Sequence, residues 1–126
     1  MAANPKTVMI VEDEPDAAEL FAEMMRVSGY RMLKASASVP AMRMITQLKP
    51  DVIILDIRMP DVSGLEILHF MQRETDVAKI PVVGVSAKSM PSDLRNGLDA
   101  GAFIYLTKPA DYADLKNAVE RALKEA

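Results

Sequence analysis

The stretch Asp51-Val52-Ile53-Ile54-Leu55-Asp56-Ile57-Arg58-Met59-Pro60 decides how the rest of the chain is interpreted. Its centre is a run of four apolar residues, three of them β-branched, which is typical of a strand buried on both faces of a parallel sheet. Asp56 ends the run, and Pro60 prevents the strand from simply continuing. The stretch therefore predicts a carboxylate at the tip of a buried strand. Taken alone, Asp56 could also be an ordinary solvated aspartate at a strand end.

Short apolar runs of this kind occur along the whole chain, and a segment with helical spacing follows each of them. We predict strands over residues 7–11, 30–35, 52–56, 82–85 and 103–106. We predict helices from Pro15 to Gly29, from Ser38 (as the cap) to Pro50, after Gly64, from Ser92 to Gly101, and after a cap at Asp111. Five strands that alternate with five helices predict an α/β fold, in which a doubly wound parallel sheet carries helices on both faces.

Apolar side chains at helical spacing predict the buried face of each helix. The expected buried residues are Leu20, Met24 and Val27 with Ala17 and Phe21 in the first helix; Met42, Ile45 and Leu48 in the second; Leu65, Leu68 and Met71 in the third; and Leu115, Val119 and Ala122 in the last.

The composition sets limits on the class of protein. With 126 residues, half of them hydrophobic, the chain suits a single domain, residues 1–126 with a core of about 7–125 and no output domain. A net charge of −3 gives no general footprint for direct nucleic acid binding. No apolar segment approaches the length of a membrane span, so we expect no membrane insertion and a cytoplasmic location. Cysteine is absent, which excludes disulfides and thiolate metal sites.

Polar side chains follow four of the predicted strands. Glu12 and Asp13 come after the first strand, Asp56 after the third, Ser86 after the fourth and Lys108 after the fifth. In parallel sheets of this kind, ligands bind beyond the carboxyl ends of the strands. Crowded carboxylates repel each other unless a cation intervenes, and Mg²⁺ suits a few carboxylates together with a phosphate oxygen. A carboxylate can also attack phosphorus and form an aspartyl phosphate.

These motifs resemble the receiver domain of two-component response regulators. The resemblance runs from about Thr7 to the end of the last helix. It rests on Val11-Glu12-Asp13-Glu14, Asp56-Ile57-Arg58-Met59-Pro60 with Gly64, Val85-Ser86-Ala87, and Tyr105-Leu106-Thr107-Lys108-Pro109. It implies a flavodoxin-like (CheY-like) fold with strand order 2-1-3-4-5.

The resemblance implies a role for each residue at the acidic end of the site. Asp56 matches the aspartate that accepts the phosphoryl group. Asp13 matches a direct ligand of Mg²⁺, and Glu12 matches its neighbour, which acts largely through water. Arg58 matches the residue that offers the metal its backbone carbonyl.

The same resemblance assigns the remaining site residues. Ser86 matches the switch hydroxyl that bonds the phosphoryl group, and Lys108 matches the lysine that pairs first with the acceptor and then with the phosphate. The Lys108–Pro109 bond matches one that is cis, which would aim Lys108 into the site. Tyr105 matches the aromatic whose rotamer follows the switch residue, and the alternative is an ordinary, partly buried edge-strand aromatic. Two basic residues, Arg58 and Lys88, are expected at the mouth of the site.

The leading hypothesis is a phosphorylation-dependent signalling switch, phosphorylated by a sensor histidine kinase or a phosphotransfer protein and acting on an unidentified output protein. Such a chain is not an enzyme beyond catalysing its own phosphorylation and dephosphorylation. One alternative is a degenerate or excised receiver that serves as a docking module. Another is an aspartyl-phosphate phosphatase, but Arg58 stands where a dehalogenase-type phosphatase would have a second aspartate. The sole histidine, His69, is expected on the surface.

Overall fold

The computed structural model describes residues 5–58, 64–86, 95 and 98–125. These residues contain strands β1 (Thr7–Val11), β2 (Arg31–Ala35), β3 (Val52–Asp56), β4 (Val82–Ser86) and β5 (Ile104–Thr107). They also contain helices α1 (Pro15–Val27), α2 (Ser38–Leu48), α3 (Gly64–Arg73) and α4 (Tyr112–Glu125). The helix that we predicted from Ser92 to Gly101 lies largely outside the described residues.

The five strands form one parallel sheet in the order β2-β1-β3-β4-β5. This order confirms the predicted doubly wound fold. Strands β3 and β4 are buried along their whole length, which agrees with their nearly continuous apolar runs. Strands β2 and β5 lie at the two edges and are only partly buried.

Two apolar layers cover the two faces of the sheet. On one face, α2 and α3 pack through Ala41, Ile45, Ile67, Leu68 and Met71 against β-strand side chains such as Ile53 and Leu55. On the other face, α1 and α4 pack through Phe21, Ala22, Met25, Leu115, Ala118, Val119 and Ala122 against Val8, Ile10, Val52 and Ile54.

The predicted buried face of α1 is confirmed at Phe21 and wrong at Leu20 and Val27, while Ala17 and Met24 are partly buried. Phe21, Ala22 and Met25 face the sheet, whereas Leu20 is 54% exposed and Val27 is 69% exposed. Both sets have helical spacing, so periodicity alone could not choose between two adjacent apolar stripes. In α2, Ala41 and Ile45 are buried, whereas Leu48 is exposed. The predicted buried residues Leu115, Val119 and Ala122 of the last helix are confirmed.

The helix caps follow the sequence signals with one exception. The Glu14 side chain accepts a hydrogen bond from the Asp16 N–H at 2.9 Å, and Asp111 accepts one from the Asp114 N–H at 2.8 Å. Ser38 is not a cap: the extended residue before α2 is Ala37, and Ser38 is already helical and fully buried. Among the described residues, no helix is both long and apolar enough to cross a membrane.

Candidate functional site

The parallel sheet brings the predicted site residues to one edge. Asp56 is the last residue of β3 and Ser86 is the last residue of β4. Glu12 directly follows β1, and Lys108 directly follows β5. Glu12, Asp56 and Ser86 are buried, and the Lys108 side chain is 21% exposed. The chain thus places two carboxylates, a hydroxyl and an ammonium beyond the core, with limited access to water.

Lys108 lies between the two buried carboxylates. Its Nζ is 2.5 Å from Glu12 Oε1 and 3.5 Å from Asp56 Oδ2. The second oxygen of Glu12 accepts a hydrogen bond from the Glu14 N–H at 3.2 Å, and Asp56 Oδ1 accepts one from the Arg58 N–H at 3.0 Å. Each carboxylate is therefore held by a backbone donor on one oxygen and faces the ammonium with the other.

Burial and charge shift two pKa values in this cluster. Burial, which disfavours the charged form, raises the pKa of Glu12, although the hydrogen bond from Lys108 partly opposes this effect. Burial alone would lower the pKa of Lys108, but its hydrogen bond to Glu12 and the negative charge of Asp56 outweigh burial and raise it. Lys108 is therefore held in its charged form beside the Asp56 carboxylate.

Three carboxylates have the arrangement that a hard divalent cation requires. One oxygen each from Glu12, Asp13 and Asp56 lies within 4.8 Å of the others, and Asp13 is the most exposed of the three. The donors are all oxygens, as Mg²⁺ and Ca²⁺ prefer. In the described part of the cluster, Lys108 provides one positive charge against these three negative charges. The residues therefore fit a divalent metal.

Gly64 lies close to the backbone at the end of β3. A Cβ at Gly64 would lie 2.7 Å from both the carbonyl oxygen of Asp56 and the Cα of Ile57, so no side chain fits there. The Gly64 N–H donates to the Ile57 carbonyl at 2.9 Å, and the Ile57 N–H donates to the Val85 carbonyl at 3.0 Å. The motif that contains Gly64 did not reveal this close backbone approach. A glycine at the start of a helix was the available signal.

Tyr105 lies on β5 and packs against the apolar layer of α2 and α3. Its hydroxyl is buried, and it has no hydrogen-bond partner within the described part of the chain. The bond between Lys108 and Pro109 is cis, as the resemblance implied. His69 is exposed on α3, as expected, and Lys88 lies outside the described residues.

Comparisons with known proteins agree with this geometry. The family model for the response regulator receiver domain matches residues 8–120. The polar-differentiation response regulator DivK of Brucella anthropi is 31% identical over 97% of this chain and 99% of its own length. The transcriptional regulatory protein TcrX of Mycobacterium tuberculosis is 37% identical over 84% of this chain, which corresponds to only 44% of TcrX.

A solved structure shows the same similarity in three dimensions. The receiver domain of a signal transduction histidine kinase from Syntrophus aciditrophicus superimposes with a TM-score of 0.86 and 30% identity, over 94% of this chain and 90% of that domain. The fold, the edge where the polar residues meet and the match over nearly the whole chain lead to one assignment. The chain belongs to the response regulator receiver domain family, and is therefore a phosphorylation-dependent signalling switch rather than a conventional enzyme.

Proposed function

We propose that Asp56 accepts a phosphoryl group from the phosphohistidine of a sensor histidine kinase or of a phosphotransfer protein. The supporting observation is that Asp56 is buried at the end of β3, with Oδ2 3.5 Å from Lys108 Nζ and its carboxylate beside those of Glu12 and Asp13. A cytoplasmic location is part of this proposal, because histidine kinases take their phosphate from ATP. Residues 7–125 would act as one receiver unit in this exchange.

The transfer exchanges one bond for another at phosphorus. A carboxylate oxygen of Asp56 forms the new P–O bond while the P–N bond to the donor imidazole breaks, and the imidazole leaves with the electron pair and takes a proton from water. The Arg58 N–H holds Asp56 Oδ1 at 3.0 Å and so limits rotation of the carboxylate. The Lys108 ammonium neutralises charge on the equatorial oxygens of the transferred group, and the Ser86 hydroxyl donates a hydrogen bond to one of them.

Glu12, Asp13 and Asp56 would hold Mg²⁺, with the backbone carbonyl of Arg58 as a further ligand. When bound, the metal neutralises charge on the phosphoryl oxygens. With the same groups the receiver would catalyse its own phosphorylation and dephosphorylation. After transfer, we propose that Ser86 bonds the phosphoryl group and that the Tyr105 ring follows, which changes the surface offered to an output protein.

The phosphodonor protein must bind next to Asp56, and an apolar groove lies on the Lys108 side of the site. A groove of about 380 Å³ between α1 and the segment after β5 is lined by Ala17, Leu20, Phe21, Lys108, Pro109 and Ala110. A second groove continues along α1 to Val27 and Tyr112. Because Lys108 lines the first groove and contacts the site, a protein seated there would bring its phosphohistidine to the acceptor. We therefore propose this face, centred on the exposed Leu20, as the donor surface.

The test of the acceptor uses a small phosphodonor such as acetyl phosphate with magnesium. Intact-mass measurement should show the addition of one phosphoryl group to the wild-type protein and none to Asp56→Asn, which keeps the shape of the side chain. Asp51→Asn is the matched control, because Asp51 begins the same segment and accepts a hydrogen bond from the Thr7 N–H at 2.7 Å, away from the site. Equal labelling of wild type and Asp56→Asn would refute the acceptor. No labelling of the wild type would favour the docking module.

A further inference from the structure

Gly84 lies in the middle of β4, between the acceptor strand and the strand that carries Tyr105. It pairs with Leu55 of β3 on one side and with Tyr105 of β5 on the other. A Cβ built on Gly84 would lie 3.4 Å from Ile57 Cδ1 and 3.5 Å from Tyr105 Cδ2. Both side chains thus lie within van der Waals distance of the space that a side chain at position 84 would occupy.

These distances set a sharp size limit at position 84. Contacts of 3.4 to 3.5 Å are ordinary van der Waals contacts, so a methyl group fits. Any longer side chain would extend by a further bond into Ile57 or into the Tyr105 ring. Ile57 is buried and its backbone is hydrogen bonded to both Val85 and Gly64, so its position is constrained. The ring, on an edge strand and only partly buried, is the part that can give way.

Two opposing effects determine whether the Tyr105 ring stays in its inward position. Packing over Gly84 and against the apolar layer of α2 and α3 favours it. The hydroxyl opposes it, because this oxygen is buried with no partner among the described residues, and a buried polar atom without a partner loses its hydration. Rotation of the ring towards water would lose the packing and restore the hydration.

We propose that Gly84 controls the position of Tyr105 by leaving open, in β4, the space that the inward ring occupies. Ile57, which directly follows Asp56, borders the same space. The consequence for signalling rests on the proposed function: filling this space should alter the readout that passes from Ser86 to Tyr105. The packing itself does not depend on phosphorylation.

The test measures the exposure of Tyr105 in the resting protein. The chain has no tryptophan and three tyrosines, so Tyr30→Phe/Tyr112→Phe leaves Tyr105 as its one fluorophore. In this background, Gly84→Leu should raise the acrylamide quenching constant about twofold. Gly84→Ala, which adds only the methyl group that fits, should leave the constant unchanged. Equal constants in the Leu and Ala variants, with circular dichroism showing both folded, would overturn the proposal.

If the Gly84→Leu protein fails to fold, a second pair of variants tests the same proposal. Gly84→Val adds fewer atoms and should also raise quenching relative to Gly84→Ala. Adding Ile57→Ala to the Val variant removes the side chain nearest to the built Cβ and should return quenching towards its original value. Quenching that stays low in the Val variant, or stays high after Ile57→Ala, would contradict the proposed control. Because no phosphodonor or magnesium is present, failure of Asp56 as acceptor would leave these outcomes unchanged.

Discussion

Lys108 has two acidic neighbours at unequal distances, and the nearer one is Glu12. Its Nζ is 2.5 Å from Glu12 Oε1 but 3.5 Å from Asp56 Oδ2. A glutamate reaches one methylene further than an aspartate, which allows Glu12 to meet the ammonium while its other oxygen stays on the Glu14 N–H. Without metal, the Lys108 ammonium therefore makes its shorter contact with Glu12. Its contact with Asp56 Oδ2 is longer.

The raised pKa of Glu12 predicts how stability depends on pH without metal. A carboxyl whose pKa is higher in the folded protein than the ordinary 4.5 adds stability below pH 4.5 and loses it as pH rises through the folded value. The side chain of the Glu12→Gln variant cannot ionise, so this variant does not lose that stability as pH rises. In EDTA, the unfolding free energy of Glu12→Gln relative to wild type should therefore rise with pH from about 4.5 upward. Urea unfolding at several pH values measures it, and a relative free energy that falls over this range would contradict the raised pKa.

At the scale of secondary-structure elements, α1 presents two different apolar stripes. Phe21 is 3% exposed and faces the sheet, whereas its neighbour Leu20 is 54% exposed. Phe21→Ala should lower the unfolding free energy by about 3–5 kcal/mol, since it leaves a cavity in the core. Leu20→Ala should change it by no more than about 0.5 kcal/mol. Urea unfolding compares the two, and similar losses in both would show that the groove belongs to the core.

The donor surface leads to a prediction that separates protein donors from small ones. Leu20→Ala should slow phosphotransfer from a cognate phosphorylated protein by about tenfold or more, because it removes the centre of the apolar groove. Phosphorylation by acetyl phosphate should not change, since Leu20 is not part of the acidic cluster. Leu48→Ala is the control, as Leu48 is also 54% exposed but lies on α2. If Leu20→Ala and Leu48→Ala transfer phosphate at the same rate, the donor binds elsewhere.

The elements differ in how far the sequence alone could predict them. Apolar runs such as Val52 to Leu55 located the central strands almost to the residue, because a strand buried on both faces leaves little freedom in its composition. In α1, the sequence prediction placed Leu20 and Phe21 on the same buried face, and only the rotation of the helix against the sheet decides which of them is buried. The roles of Gly64 and Gly84 depend on distances to other elements, which no local pattern encodes.

At the scale of the whole molecule, metal binding should couple to folding. A ligand that binds only the folded state stabilises it, by about 2.7 kcal/mol at 100 times its dissociation constant. Magnesium at such a concentration should raise the melting temperature by roughly 10 °C. Asp13→Asn should remove most of this rise. Asp76→Asn should keep it, since Asp76 is exposed and pairs with Lys49 at 3.9 Å. Scanning calorimetry with magnesium and with EDTA measures the difference, and an undiminished rise in Asp13→Asn would rule out the proposed metal site.

The order of the strands also has a consequence for synthesis on the ribosome. Strand β1 pairs only with β2 and β3, so Val8 finds its partners Met32 and Val52 in the first half of the chain. Strands β4 and β5 then add in sequence order to the free side of β3. Once residue 56 has left the exit tunnel, three adjacent strands are available to pair, and each later strand extends an existing edge. We therefore expect the nascent chain to build its sheet outward from β1 as it emerges, with Asp56 in its strand before Lys108 has been translated.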